Sequence, residues 1–321
     1  MSLWKQGIWA ASMIGLSASS AMATALEIVT TTGMVADIAR HVAGDRATVV
    51  NIMGEGVDPH LYKPLASDVR RIMSADVVFY NGLKLEGRMG GIFERAAARG
   101  RFVRPVASMV DKTFLLEPEG QAGHPDPHVW MDVKAWMAAT EATAIALCQA
   151  DPDGCETYHT NAATYTAELA SLDEYVRQVI ASIPSKQRVL VTAHDAFNYF
   201  GRAYGLEVQG IQGISTESEA GLADVNGLVG LLVERRIPAV FVESSVPDKY
   251  VRALVEGAEA RGHEVVVGGE LFSDAMGKPG TWEGTYIGMI DHNASTVARA
   301  LGGTVPEQGF RGSVASAEDP L

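Results

Sequence analysis

Cysteine is scarce: Cys148 and Cys155 are the only two in 321 residues. Neither has a histidine partner at a known motif spacing, so no cysteine-based metal or catalytic site is expected. Positive charge is also in deficit, with 26 Lys+Arg against 39 Asp+Glu and a formal net charge of −13. That balance argues against nucleic acid, whose phosphates demand Lys and Arg, and is compatible with attracting cations. No apolar run approaches the roughly 20 residues that a membrane-spanning helix needs. Gly-x-Ser-x-Gly, Gly-x-x-x-x-Gly-Lys-Ser/Thr, Gly-x-Gly-x-x-Gly and His-Glu-x-x-His are all missing. Their absence removes the common signatures of serine hydrolases, nucleotide binding and zinc proteases.

What is present is an ordinary globular composition, 47% hydrophobic and 20% charged, too apolar for a disordered chain. The length suggests two domains or one large one. Lys5, the apolar run 7–16 and the small-x-small triplet Ala21-Met22-Ala23 match the three parts of an export signal. Residues 1–23 are therefore expected to be cleaved. No cysteine lies near that point to carry a lipid, so a soluble periplasmic protein is expected. In an oxidising compartment the Cys148/Cys155 pair usually bridges, with two free buried thiols as the alternative.

Short β-branched runs alternate with helical patterns. Strands are expected at 26–30, 47–53, 76–80 and 102–107, with helices at 34–42, 67–75 and 86–99 between them. From 107 to 127 the composition turns to Gly, Pro, Glu and His, a long loop of the kind that is usually functional. A helix follows over 129–148. Residues 156–183 then run without Gly or Pro, and a helix of that length crosses a domain. Beyond Pro184 the rhythm restarts, with strands at 188–193, 207–210, 239–243 and 264–267. Helices are expected at 196–204, 216–235, 247–261 and 287–301. Thr216 and Glu219 form the capping box of the second of these. The expected organisation is α/β: a lobe at 24–155, a connecting helix at 156–184, a lobe at 185–303 and a frayed tail at 304–321. Each lobe would carry a parallel sheet covered by helices.

Ligands of open α/β sheets gather outside the carboxyl ends of the strands. His60, in Val-Asp-Pro-His, follows the second strand; His128, in Pro-Asp-Pro-His-Val-Trp, closes the long loop; and His194 directly follows 188–193. Asp274, in Glu-Leu-Phe-Ser-Asp, adds a carboxylate beyond 264–267. Three imidazoles and one carboxylate suit Zn²⁺ and neighbouring first-row ions. Asp58 and Asp126 are candidates to orient the imidazoles, or are simply turn residues. Glu217, Glu219 and Glu243 are candidates to line the cleft. His124 is either a solvated loop residue or a transient metal collector. His41, His159, His263 and His292 are assigned to packing or surface.

These motifs, with Thr-Ala-His-Asp-Ala-Phe at 192–197 and Gly-Ile-Ser-Thr-Glu-Ser-Glu at 213–219, closely resemble those of the zinc/manganese solute-binding proteins of ABC importers. The likeness is to the TroA-like, cluster A-I members and covers about 26–301. It implies two Rossmann-like lobes, a rigid connecting helix and one metal ion between the lobes, held by His60, His128, His194 and Asp274. It further implies a non-enzymatic, monomeric carrier that hands Zn²⁺ or Mn²⁺ to the transmembrane subunit of a permease. Release would separate His60 and His128 from His194 and Asp274. Many dedicated zinc members carry a His-rich loop near 107–127, where this chain has only His124. Many manganese members place Glu where this chain has His194. The weighed alternatives are an exported zinc-dependent hydrolase and a metal-stabilised adhesin.

Overall fold

The buried, β-branched segment Leu26–Thr30 forms β1, the centre of a parallel sheet. In the computed structural model, which describes residues 25–118 and 123–312, β1 pairs on one side with β2 (Ala47–Asn51). On the other it pairs with β3 (Val77–Tyr80), which in turn pairs with β4 (Phe102–Pro105). The order β2-β1-β3-β4 reverses direction at β1, the kind of point where an open α/β sheet leaves a crevice. Helices α1 (Gly33–Ala43), α2 (Ala66–Ser74) and α3 (Gly90–Ala98) connect these strands. After the long loop, α4 (Val133–Ala150) starts on Asp132, whose carboxylate accepts from the Lys134 and Ala135 N–H groups.

The helix α5 (Cys155–Ala181) is 27 residues long and so spans about 40 Å. It is fastened to both halves of the chain. The Tyr165 hydroxyl donates to Asp37 of α1, and Tyr175 bonds Ser295 farther along the chain. Cys148 and Cys155 are joined as a disulfide across the turn between α4 and α5. Asp151, in that turn, accepts from Arg46 and the Tyr158 hydroxyl.

The second half repeats the pattern with β5 (Val189–His194) parallel to β6 (Glu207–Gln212) and β7 (Ala239–Glu243) parallel to β8 (Val266–Leu271). β5 and β7 lie side by side. Four helices cover these strands: α6 (Asn198–Tyr204), α7 (Leu222–Arg235), α8 (Lys249–Glu259) and α9 (Tyr286–Ala300). The chain is thus α/β, with parallel sheets and one long helix. A single apolar core runs through α1, α4, α5, α6 and α9, with smaller clusters beneath the outer helices of each half. Among the described residues no helix is long and apolar enough to cross a membrane.

Three expectations shift. The last strand continues past Val267 through Gly268-Gly269 to Leu271. A Cβ on Gly268 would come within 2.8 Å of Ala300 and Phe241 side chains, so glycine here permits close packing. The supposed capping box at Thr216 and Glu219 caps nothing, because α7 begins at Leu222. Residues 304–312 are not frayed, since Phe310 is buried and its N–H donates to Asp291. The expected signal segment 1–23 and residues 313–321 lie outside the described residues.

Candidate metal centre

Four segments at the carboxyl ends of strands bring their side chains to one point. His60 stands in the loop after β2, and His128 ends the long loop after β4. His194 is the last residue of β5, and Asp274 lies three residues beyond β8. All four are buried, the most accessible being His60 at 4%. Their donor atoms crowd together. The Nε2 atoms of His60 and His128 are 3.4 Å apart. Asp274 Oδ1 is 3.3 Å from His128 Nε2, while Asp274 Oδ2 is 3.3 Å from His194 Nε2 and 3.6 Å from His60 Nε2.

The rings are oriented from behind. His128 Nδ1 donates to Asp126 Oδ1 at 2.7 Å, and His194 Nδ1 donates to Glu243 Oε2 at 2.5 Å. A carboxylate only accepts, so each Nδ1 carries a hydrogen and each ring turns its Nε2 toward the centre, where a metal ion would take the place of any proton on it. Burial pushes the His60 pKa down to about 4, against the pull of Asp274. Burial also works against charge on His128, but Asp126 and Asp274 outweigh it and lift that pKa to about 9. His194 is likewise raised, Glu243 and Asp274 overcoming its burial. Burial alone would raise Asp274, yet His194 and His128 hold it well below the usual carboxylate range.

The unsatisfied atoms indicate what this arrangement accepts. His194 Nε2 and both oxygens of Asp274 are buried without any hydrogen-bond partner. Buried polar atoms without partners are rare and costly, and here they converge. Donors around a tetrahedral ion at about 2.0–2.2 Å lie about 3.3–3.6 Å from one another. The measured separations fall in that range, so the cluster fits a divalent transition ion. Among the described residues, the other group of potential donors is Cys148, Cys155 and His159. Its sulfurs are consumed by the disulfide.

The remaining candidates separate clearly. Asp126 orients an imidazole. Asp58 instead accepts from the His60 backbone N–H at 2.8 Å and from Thr216 Oγ1 at 2.6 Å. Glu243 is the ring-orienting acid that the sequence reading left among cleft-lining candidates. Its signal was a single acid closing the apolar run Ala-Val-Phe-Val-Glu at the ligand-bearing rim. Glu219 binds Tyr250 and Lys249, and Glu217 is exposed on the cleft wall. His124 is exposed and meets Lys84 at 2.8 Å. His41 stacks on Tyr165, while His263 and His292 bond backbone carbonyls. His159 is exposed.

Residues 28–300 match the family model described as zinc-uptake complex component A, periplasmic (ZnuA). The chain belongs to the ZnuA family. It is 47% identical over 276 residues to the manganese-binding lipoprotein MntA of Bacillus subtilis, covering 86% of this chain and 90% of MntA. It is 46% identical over 274 residues to the zinc-binding protein TroA of Treponema pallidum, covering 85% and 88%. The solved structure of that TroA superposes with a TM-score of 0.83 at 45% identity, over 87% of this chain and 99% of that one. The manganese ABC transporter substrate-binding lipoprotein PsaA of Streptococcus pneumoniae is 30% identical over 289 residues, 89% and 92% of the two chains. This ZnuA-family chain is accordingly a metal-binding solute-binding protein of an ABC transporter, in a family of transport components.

The names also correct one expectation. MntA and PsaA are called lipoproteins, contrary to a soluble periplasmic protein freed by a cleaved signal. An export signal describes how a chain leaves the cytoplasm, not what holds it afterwards. The unanchored periplasmic localisation is withdrawn.

Proposed function

We propose that His60, His128, His194 and Asp274 take up one divalent ion, Zn²⁺ or Mn²⁺, as cargo, and that the chain delivers it to the transmembrane subunit of an ABC permease. One observation carries the ligand assignment: the buried convergence of three imidazole nitrogens on a carboxylate whose two oxygens have no hydrogen-bond partner. Asp126 and Glu243 support it by fixing two of the rings. In this reading, residues 24–155 and 185–303 are the two lobes and 156–184 the connection between them.

Three nitrogen donors favour Zn²⁺ over Mn²⁺ in intrinsic affinity, following the Irving–Williams order. A relative named for manganese and one named for zinc, at nearly equal identity, keep both ions as cargo. Enclosure of the ion by protein donors leaves no open position for an attacking water, which suits carriage and not hydrolysis.

Equilibrium titration tests the assignment. The unaltered protein takes up one Zn²⁺ or one Mn²⁺ per chain. His194→Ala and Asp274→Ala each lower the affinity by at least about 100-fold, as loss of a directly bound donor exceeds the 10–100-fold typical of an outer partner. Full stoichiometry with unchanged affinity in both variants would refute the ligand set.

A further inference from the structure

An ion enclosed on all sides leaves only when a donor moves away, so the supports of each donor decide which one goes. The segment carrying His128 comes from the first half of the chain, yet most of its bonds run to the second. The Tyr199 hydroxyl of α6 donates to the Asp126 carbonyl at 2.8 Å, and Asn198 Nδ2 donates to Asp126 Oδ2 at 3.2 Å. Trp130 Nε1 donates to the carbonyl of Ser273, the neighbour of Asp274, at 3.0 Å. The Tyr286 hydroxyl of α9 donates to the Trp130 carbonyl at 2.7 Å, and Arg202 of α6 donates to Asp132 at 3.0 Å. Two bonds run the other way, from Asn81 Nδ2 to the Pro127 carbonyl at 3.0 Å and from the Asp126 N–H to the Leu116 carbonyl at 2.8 Å. Trp130, Tyr199 and Tyr286 also belong to the core shared by both halves. Pulling His128 away from His194 and Asp274 would tear that close-packed core.

His60 is held differently. Among the described residues, the hydrogen bonds from loop 54–64 to the second half reduce to one, Thr216 Oγ1 to Asp58 Oδ2 at 2.6 Å. The other Asp58 oxygen accepts from the His60 N–H at 2.8 Å and the Leu61 N–H at 3.4 Å. A single carboxylate therefore links the backbone of this donor to the loop between β6 and α7. The junction is loosely filled, bordering a cavity of about 130 Å³ lined by Asp58, Leu61, Thr216, Val246 and Tyr250. A larger cleft of about 770 Å³ lies between the halves, and of the four donors only His60 lines it.

We infer that the centre is built as three plus one. His128, His194 and Asp274 form a fixed platform, His60 is the donor that leaves toward the cleft, and Asp58 with Thr216 are positioning residues that latch it. This partition rests on the four-donor reading above and replaces an even split of two donors per lobe. It also fits a long, doubly fastened α5, because a departing loop needs no wholesale separation of the halves.

The test is Zn²⁺ release into excess chelator, followed by stopped flow on the full chain. Thr216→Val keeps the side-chain shape and removes the donor to a charged acceptor, which is worth about a tenfold or greater change. Release should quicken by about that factor while the association rate stays within about twofold. Asp58→Asn should act in the same direction. A merely structural role is separated by repeating Thr216→Val on a His60→Ala background, where the latch has nothing to hold and no further acceleration is expected. Two failures are distinguishable with Co²⁺ as a spectroscopic probe. If His60→Ala leaves the Co²⁺ visible spectrum and affinity unchanged, the four-donor reading falls. If His60→Ala alters both while Thr216→Val and Asp58→Asn release Zn²⁺ at the unaltered rate, the latch alone is overturned. Equal acceleration by Thr216→Val with and without His60 would also overturn it.

Discussion

At the scale of single residues, the acids behind the imidazoles govern how the site exchanges protons for metal. Asp126 and Glu243, with Asp274 in front, keep His128 and His194 protonated near neutrality, the former to about pH 9. His60, with a pKa of about 4, is already neutral, and Asp274 is already ionised. An ion that binds the Nε2 atoms must displace the protons on His128 and His194, so the metal-free state binds about two more protons than the loaded one. Affinity should therefore rise with pH and fall as the solution is acidified. Calorimetric titration in buffers of differing ionisation enthalpy reads the number directly; release of no protons would contradict the assignment. Glu243→Gln keeps an acceptor for His194 Nδ1 but removes the charge that holds its proton. The count should drop from about two toward one, and an unchanged count would show that Glu243 does not set the protonation of His194. Asp-Pro-His at two strand exits marked His60 and His128 in the sequence, and the post-strand positions of His194 and Asp274 marked those two. The structure brings the four together, while Asp126 stood open between orienting acid and turn residue. The role of Glu243 was not legible, since its partner lies 49 residues away across β5 and β7.

At the scale of elements, strands and helices were legible from apolar periodicity, while their ends answered to side chains distant in sequence. The Thr216 hydroxyl is taken by Asp58 and the Glu219 carboxylate by Tyr250 and Lys249. Neither is left to cap α7, which starts after Gly221 instead. Periodicity also stopped the last strand at its glycines, because nothing local announces that Ala300 and Phe241 need that space. The α4–α5 corner yields a prediction of its own. The Cys148–Cys155 bridge closes a loop with a sequence separation of 7, worth about 2–3 kcal/mol by loop entropy. Paired thermal melts and Zn²⁺ titrations with and without reductant should show a melting point lowered by several degrees and an unchanged affinity. A large loss of affinity on reduction would tie this corner to the metal centre.

At the scale of the molecule, an acidic chain places a convergent set of buried donors where two parallel-sheet halves meet, above a core common to both. The shared core explains why the halves were legible as two βα patterns but their fastening was not. Trp130, Tyr199 and Tyr286 reach across more than 70 residues of sequence to bind one another's segments. The most direct measurement is anomalous diffraction at the zinc edge from crystals of the Zn²⁺-loaded protein. The account predicts one strong peak, bonded to the Nε2 atoms of His60, His128 and His194 and to the Asp274 carboxylate. A peak elsewhere, or an ion whose coordination is completed by water in place of one of these four residues, would contradict it.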